Sequence, residues 1–329
     1  MITNNLFEKV LIEPVNAGAN KLYIVSGYAT SAMAFHHLEY LKKQNKSINI
    51  ELFIGMCPND GLSLSNHRGF KKIAEEEFSR EFQCSYVMTP PSVHSKTYAW
   101  YRDDEPIVGF AGSANYTQSA FINRQREILV ECNAEDALNY FQQISGDTIY
   151  CTHPDSENFV RIYKDRFFIR RREAQSIIET ATSEQRPEFE DNIAGLQSVT
   201  VSLYNNRGEI SQRSGLNWGQ RPEYHREPNQ GYIRLTSDIY SSSFFPEVKI
   251  HFTVLTDDGK VLICSRAQQN GKAIHTPHNN SLIGEYFRNR LGVPNGEPVT
   301  NDAVVRYGRS DLTFYKIDDE TYFMDFSPQ

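Results

Sequence analysis

The chain has 329 residues, enough for two ordinary domains, and its 39% hydrophobic and 23% charged residues are typical of a globular protein. This balance argues against a disordered chain. A formal net charge of −7 argues against global attraction to nucleic acid, so any such binding must come from a local basic patch.

Hydropathy and cysteine usage narrow the class further. No apolar run approaches the roughly 20 residues that span a bilayer, and the start MITNNLFEKV has no signal-peptide core, so we expect a cytoplasmic protein. The five cysteines are odd in number and never spaced as C-x-x-C. This usage predicts a reducing compartment, with no disulfide framework and no zinc site.

The first 145 residues alternate helical and strand patterns. The predicted helices are 6–16, 33–43, 69–82 and 135–144. The predicted strands are 21–30, 49–56, 84–88, 93–101, 106–113 and 127–132. Helices between buried strands indicate a layered α/β domain, and the late cluster of strands without helices favours a mixed sheet.

Residues 145–197 look connective, and the stretch 159–181 has a helical pattern that predicts a helical linker. It contains a small basic run, Arg170–Arg172. The sequence leaves open whether this run is a solvated helix face or a phosphate contact.

From residue 198 onward, short strand patterns alternate with turns such as NNRG, DDGK and NGEP. The predicted strands are 199–204, 231–236, 248–256, 260–268, 303–309, 312–318 and 321–326. One helix is predicted at 281–292, ending on a glycine C-cap signal. The pattern indicates a small β-rich domain of barrel or sandwich type.

The stretch SVHSKTYAWY (92–101) places His94 and Lys96 two residues apart among strand-forming residues, so both side chains should share one face. Such a pair either lies at a solvated strand edge or binds a negatively charged group. GFAGSAN follows at the end of a strand, with Gly112, Ser113 and Asn115 supplying a small residue and two hydrogen-bonding side chains. With Glu127 downstream, these groups are suited to attack on phosphorus without a metal.

In this order the residues resemble the signature of the phospholipase D superfamily: H-x-K, then G-S-x-N, then a glutamate. Two features depart from it. Tyr101 stands where the superfamily often has an aspartate, and the interval between Lys96 and Gly112 is longer than usual. Glu131 is the alternative to Glu127 as the acid.

The resemblance implies a two-step mechanism in which His94 attacks phosphorus and forms a phosphohistidine that water hydrolyses. Lys96, Ser113 and Asn115 would stabilise the developing charge, and Glu127 would hold the other ring nitrogen of His94. No metal or other cofactor is expected. Because the chain has a single H-x-K and the chemistry needs two histidines, a homodimer with a composite active site is expected.

The whole chain resembles the NgoFVII-type restriction endonucleases, which join a phospholipase-D-like nuclease domain to a B3-like DNA-recognition pseudobarrel. The expected parts are a nuclease domain at 1–150, a helical linker at 151–197 and a recognition domain at 198–329. The implied activity is a sequence-specific type II, metal-independent DNA endonuclease. The implied partners are double-stranded DNA, a cognate DNA methyltransferase and, in some such systems, a separate helicase-type ATPase.

The resemblance also implies two DNA-clasping arms in the recognition domain, rich in side chains that read base edges or pack on sugars. The first arm offers Arg213, Asn217, Trp218, Gln220, Arg221, Tyr224, His225 and Arg226. The second arm offers Arg266, Gln268, Gln269, Asn270, Lys272 and His275.

Other classes stay open at this point. One alternative is a lipid phosphodiesterase of the same superfamily, although no exposed apolar helix or anchor pattern is seen. Others are a DNA-binding protein with an inactive nuclease domain and a nonspecific nuclease. A carboxylate–metal nuclease would have to use Asp238, Glu247 and Lys249, a pattern common by chance.

Overall fold

The computed structural model describes residues 1–122, 125–163 and 195–328. The chain divides into two compact units, 1–165 and 166–329, and each is considered by itself. Most of the expected linker, including the Arg170–Arg172 run, lies outside the described residues. No helix within the described ranges is both long and apolar enough to cross a lipid bilayer.

The first unit is built on a seven-stranded sheet with the order β7-β6-β5-β1-β2-β4-β8. Its strands are β1 (Lys21–Ser26), β2 (Asn49–Ile54), β4 (Phe82–Val87), β5 (Lys96–Arg102), β6 (Glu105–Gly112), β7 (Leu129–Cys132) and β8 (Thr148–Tyr150). Strands β1, β2 and β4 are parallel to one another, whereas β5, β6, β7 and β8 join by antiparallel pairing. The mixed sheet expected from the sequence is therefore confirmed. A separate parallel pair joins β3 (Leu62–Ser63) to β9 (Ile162–Tyr163).

Helices connect and cover these strands. They are a π-helix at Phe7–Ile12, α-helices at Glu13–Asn16, Ser31–Lys43, Cys57–Asp60, Leu64–Lys72, Gln118–Phe121, Ala134–Ser145 and Ser156–Phe159, and a second π-helix at Ile73–Glu77. Side-chain caps fix their starts: Thr30 accepts from Met33 N, and Asn133 accepts from Glu135 N and Asp136 N. The helix Ala134–Ser145 packs on one face of the sheet, where the rings of Phe53 and Phe141 stack 3.8 Å apart.

Strand polarity determines where loop residues meet. Because β1 and β2 are parallel, their carboxyl ends lie at the same edge of the sheet, where functional loops of α/β folds gather. Strand β5 runs antiparallel to β1, so its first residue, Lys96, pairs with Ser26 at the end of β1. The end of β6 also reaches this edge, since Ala111 pairs with Thr97.

The second unit is a seven-stranded sheet with the order β10-β15-β16-β12-β13-β14-β11. Its strands are β10 (Ser198–Ser202), β11 (Ile233–Arg234), β12 (His251–Thr256), β13 (Val261–Ala267), β14 (Ala273–His275), β15 (Asp311–Lys316) and β16 (Thr321–Asp325). The sheet is nearly closed and barrel-like, as a B3-like pseudobarrel requires. Short 3₁₀ turns lie at Gly215–Asn217, Pro222–Tyr224 and Gln269–Gly271, and α-helices at Ser237–Ser241, Ser281–Leu291 and Asn301–Tyr307.

One secondary-structure prediction in this unit is wrong and another is confirmed. Residues 303–309, predicted as a strand, contain the end of the helix Asn301–Tyr307. Thr300 caps its start by accepting from Ala303 N, and Gly308 ends it in the left-handed conformation at φ +89°. The helix predicted at 281–292 is present as Ser281–Leu291, and Gly292 closes it at φ +64°.

Candidate active site

His94 and Lys96 lie at the sheet edge where β1 ends and β5 begins. His94 is exposed in the extended segment before β5, whereas the Lys96 side chain is buried. Lys96 Nζ donates to the carbonyl of His94 at 2.6 Å and lies 3.1 Å from Nε2 and 3.2 Å from Nδ1 of its ring. Burial lowers the pKa of Lys96, and the carboxylate of Glu127 partly opposes this effect. The exposed imidazole of His94 therefore has the buried amino group of Lys96 directly beside it.

Asn115 is held by its carbonyl end. Oδ1 of Asn115 accepts from the backbone N–H of Tyr28 at 3.1 Å, and Ser26 Oγ lies 3.4 Å from the same atom. Fixing Oδ1 in this way turns the Nδ2 group away from the Tyr28 backbone. The Nδ2 group of Asn115 can donate a hydrogen bond, and its role as a donor to phosphate oxygens stays a prediction.

Gly112 pairs with Leu129 at the start of β7, and Ser113 follows directly after β6. A Cβ on Gly112 would be 2.1 Å from the carbonyl oxygen of Ile128, so no larger residue fits there without backbone movement. Ser113 Oγ donates to Glu127 Oε2 and accepts from Ile128 N at 3.0 Å. The glycine of G-S-x-N is therefore required by the tight β6–β7 pairing.

Glu127 does not have the contact predicted for it. Both side chains belong to the described residues, and no hydrogen bond joins Glu127 to His94; the carboxylate binds Ser113 Oγ instead. The physical reason is that Ser113 and Ile128 are cross-strand neighbours, which brings Glu127 to the serine hydroxyl. The alternative acid, Glu131, pairs with Phe110 farther along β7 and is exposed. Of the two acids, Glu127 is the one adjacent to the G-S-x-N motif.

Sequence reasoning missed Ser26, the last residue of β1, and the residues that follow it, which complete this edge. Ser26 Oγ donates to the carbonyl of Tyr28 at 2.6 Å and accepts from Tyr116 N at 2.9 Å. Gly27 leaves room for the histidine, since a Cβ there would lie 3.2 Å from His94 Cδ2. The available signal was S-G-Y inside the strand predicted at 21–30, and this short pattern is too common to indicate a site.

Metal ligation can be considered from the donor groups alone. Within residues 1–122, 125–163 and 195–328, no three or more His, Cys, Asp or Glu side chains form a group that could hold a metal ion.

The first predicted DNA-reading arm carries a cluster of aromatic and cationic side chains. The guanidinium of Arg226 lies 3.6 Å from the centre of the Trp218 ring, and that of Arg221 lies 4.8 Å from it. Tyr224 is 61% exposed and lies 5.1 Å from the Arg226 guanidinium. His225 is exposed beside it at φ +52°, and Arg213 is exposed in an ion pair with Glu223. These side chains form an accessible cationic surface.

Two residues of this arm hold the loop rather than face outward. Asn217 is buried, donates to Ser211 O and Val299 O, and accepts from Val299 N at 2.8 Å. Gln220 donates to Pro228 O and to Gly296 O. Their amide groups are occupied by backbone partners, so Asn217 and Gln220 are structural and not the base contacts expected from the sequence.

In the second arm, Arg266 is also a structural residue, contrary to the prediction. It is buried, with donors directed at the carbonyl oxygens of Tyr240, Pro246, Asn270 and Gly271. His275 is half-buried between Ser265 and Asn280. The exposed members of this arm are Gln268, Gln269, Asn270 and Lys272.

Comparison with known proteins agrees with this architecture. The family model of the NgoFVII restriction endonuclease N-terminal PLD domain matches residues 4–158. The model of the NgoFVII C-terminal B3-like DNA-binding domain matches residues 191–318. A search of curated proteins gave no match.

Solved structures also resemble part of the chain. Nuc of Salmonella typhimurium, a phospholipase D family member, is 16% identical, with a TM-score of 0.32, covering 43% of this chain and 88% of Nuc. NucT from Helicobacter pylori is 15% identical, with a TM-score of 0.30, over 43% of this chain and 87% of NucT. Polyphosphate kinase from Porphyromonas gingivalis is 15% identical, with a TM-score of 0.28, over 46% of this chain and 23% of the kinase.

The two family models match in the order in which the two folded units occur, the first on the unit that carries the H-x-K and G-S-x-N residues. The chain therefore belongs to the NgoFVII restriction endonuclease family, with a phospholipase-D-like nuclease domain followed by a B3-like DNA-binding domain.

Proposed function

We propose that this protein is a sequence-specific type II restriction endonuclease that cleaves DNA through a covalent intermediate on His94 and needs no metal ion. The observation that carries the proposal is the exposed imidazole of His94 next to the buried ammonium of Lys96. Asn115 and Ser113 lie at the same sheet edge, and Glu127 binds Ser113. These groups supply a nucleophile and donors for phosphate oxygens.

In the first step a ring nitrogen of His94 bonds to phosphorus while the bond from phosphorus to the leaving deoxyribose oxygen breaks. That oxygen takes a proton from a second acid. In the second step water attacks phosphorus and gives its proton to the group that protonated the leaving oxygen, while the N–P bond breaks and the imidazole is released. Lys96 and the amide of Asn115 stabilise charge on the nonbridging oxygens, and one such donor is typically worth roughly 3–4 kcal/mol.

A homodimer would supply the second acid, because each chain contributes a single His-x-Lys. Two exposed apolar side chains beside Glu127 support a surface for the second copy: Ile128 is 36% exposed and Val130 is 39% exposed. Both lie at the outer strand β7 or just before it, close to Ser113. Two copies meeting there would bring their imidazoles towards one composite site.

DNA recognition would fall to exposed and half-buried side chains of the two predicted arms in the second unit. The proposed contacts are Arg213, Trp218, Arg221, Tyr224, His225, Arg226, Gln268, Gln269, Asn270, Lys272 and His275. Arginine and glutamine provide base-edge contacts, and the aromatic rings can pack on sugar or bases. In this proposal the protein acts on double-stranded DNA in the cytoplasm, beside a methyltransferase that protects host sites and, in some systems, a helicase-type ATPase.

The test is cleavage of a mixed plasmid substrate by the purified protein, with and without excess EDTA, followed by mapping of the ends. We expect the same discrete fragments in both conditions. His94→Ala should bind DNA without cutting it, and acid-labile, alkali-stable phosphate should be trapped on the wild-type protein only. Loss of cutting in EDTA, or normal cutting by His94→Ala, would overturn the mechanism.

A further inference from the structure

Tyr28 contacts two parts of the proposed active site at once, although nothing in the motif identifies it. We infer that Tyr28 is a positioning residue for both His94 and Asn115, and that Asp60 is the anchor that fixes it. The inference rests on the proposed function, because it concerns the same site. It adds two residues to the machinery that orients the nucleophile and an oxyanion donor.

The first contact limits the freedom of the nucleophile. The Tyr28 and His94 rings are 6.1 Å apart at an interplanar angle of 81°, an edge-to-face arrangement. The backbone of Gly27 closes the same side, and Lys96 Nζ lies near the ring nitrogens. Since Glu127 binds Ser113 rather than His94, these neighbours take the orienting place that an acid was expected to fill.

The second contact orients the amide. The N–H of Tyr28 donates to Asn115 Oδ1 at 3.1 Å, and the carbonyl of the same residue accepts from Ser26 Oγ at 2.6 Å. Ser26 is fully buried and pairs with Lys96 in the sheet. A shift of the Tyr28 peptide would therefore move Asn115 relative to Lys96.

The anchor is a buried carboxylate. Tyr28 Oη donates to Asp60 Oδ2, and Asp60 is 7% exposed. The backbone of Asp60 is itself held, since its N–H donates to Met56 O at 2.9 Å and its carbonyl accepts from Arg161 Nη2 at 3.0 Å. Met56 N in turn donates to Gly27 O at 3.0 Å, which connects the anchor to the turn beneath the histidine. The hydroxyl group of Tyr28 is therefore bound to a carboxylate whose backbone is itself held by hydrogen bonds.

Tyr28→Phe keeps the ring against His94 and removes the hydroxyl group that binds Asp60. Misplacing a reacting group by a fraction of an ångström to 1 Å can cost up to about 100-fold in rate. We expect the single-turnover cleavage rate at saturating enzyme to fall about 10- to 100-fold, with the DNA dissociation constant unchanged. A rate loss of this kind, without a binding loss, separates positioning from a general loss of folded protein.

The experiment uses the full chain, four test variants and one control variant, with thermal unfolding and stoichiometric DNA titration giving the folded, binding-competent fraction. Asp60→Ala should slow cleavage as Tyr28→Phe does, and the double variant should be no slower than either single one. Asp60→Asn keeps an acceptor for Tyr28 Oη and should restore most of the rate. The matched control is Tyr150→Phe, at an exposed tyrosine of β8 in the same unit, which should cleave like the wild type.

Two outcomes overturn the inference while the proposed nuclease stands. They are full-rate cleavage by Tyr28→Phe, and rate losses that multiply in the double variant. Hydrolysis of the small phosphodiester bis(p-nitrophenyl) phosphate distinguishes failure of the positioning role from failure of the proposed nuclease function. If the wild type hydrolyses it and Tyr28→Phe is slower, the positioning role holds even if DNA is not cut. If the wild type hydrolyses neither substrate, the proposed function and the inference fall together.

Discussion

The variant Arg266→Ala tests whether Arg266 stabilises the fold or contacts DNA, because the two roles predict different changes in unfolding free energy and in DNA affinity. Its guanidinium is 7% exposed and donates to four backbone carbonyls: Nε to Gly271 O at 3.0 Å, Nη1 to Pro246 O at 3.2 Å, and Nη2 to Tyr240 O at 2.5 Å and Asn270 O at 3.0 Å. At about 1 kcal/mol net for each bond, Arg266→Ala should lower the free energy of unfolding by about 4 kcal/mol. The variant leaves four buried carbonyl oxygens without their arginine donors, and this cost keeps the loss of unfolding free energy near about 4 kcal/mol.

The assay is urea unfolding followed by tryptophan fluorescence. The chain has two tryptophans, Trp100 in the first unit and Trp218 in the second, so a Trp100→Phe background makes the signal specific for the unit that holds Arg266. Lys272→Ala is the matched control, because it removes the same charge from an exposed position in the same arm. It should weaken DNA binding and leave the unfolding free energy unchanged.

The two variants should therefore behave in opposite ways. Arg266→Ala, measured below its unfolding transition, should bind a duplex carrying the mapped site with about wild-type affinity. The reasoning is refuted if Arg266→Ala unfolds like the wild type and its site-specific binding free energy falls by about 1–3 kcal/mol, the value of one bidentate base contact.

Three further predictions concern the first unit. Because burial lowers the pKa of Lys96, its positive charge should be lost below the ordinary lysine pKa of about 10.4, and the cleavage rate should fall at the same pH. In Lys96→Arg, whose side chain keeps its charge, this fall of the rate at high pH should be absent. The same fall in the pH–rate profiles of both proteins would contradict this prediction. Gly112→Ala should lower the free energy of unfolding by about 1–3 kcal/mol and abolish cleavage, because the added Cβ would lie 2.1 Å from Ile128 O. The control is Gly146→Ala, whose added Cβ has no atom within 4 Å and should leave both quantities unchanged; equal effects of the two variants would argue against the close contact at Gly112. Val130→Asp should shift the protein to a monomer in sedimentation and reduce cleavage if the exposed β7 surface joins two copies, and an unchanged dimer would exclude this surface.

The sequence predicted elements best where local signals agreed. The helix at 281–291 has helical apolar spacing and a glycine at its end, and both are present in the structure. Residues 303–309 were misread because Val304 and Val305 favour strands by propensity. The Thr300 cap and Gly308 outweigh that preference, and Val305 is simply left 70% exposed.

Residue types and their order predict which segments form the candidate site, and the catalytic roles of these residues stay predictions. His94, Lys96, Ser113 and Asn115 converge because strand pairing brings their segments to one edge. The partner of each side chain could not be read, since Glu127 binds a cross-strand neighbour that only the β6–β7 register reveals. Arg266 looked like a base reader for the same reason: composition does not tell whether an arginine faces solvent or four carbonyls.

The hairpin formed by β5 and β6 explains how the two halves of the motif tolerate an unusual interval. At its open end Thr97 pairs with Ala111, while the reversal of direction lies at the far end, where Arg102 pairs with Glu105. Extra residue pairs added at the turn would lengthen the ribbon away from the histidine and leave the open end in place. A peptide tag inserted between Asp103 and Asp104 would enter the far end of the hairpin, where Asp103 binds Asn20 and Asp104 pairs with Lys21, and we expect the pairing of Thr97 with Ala111 to stay unchanged.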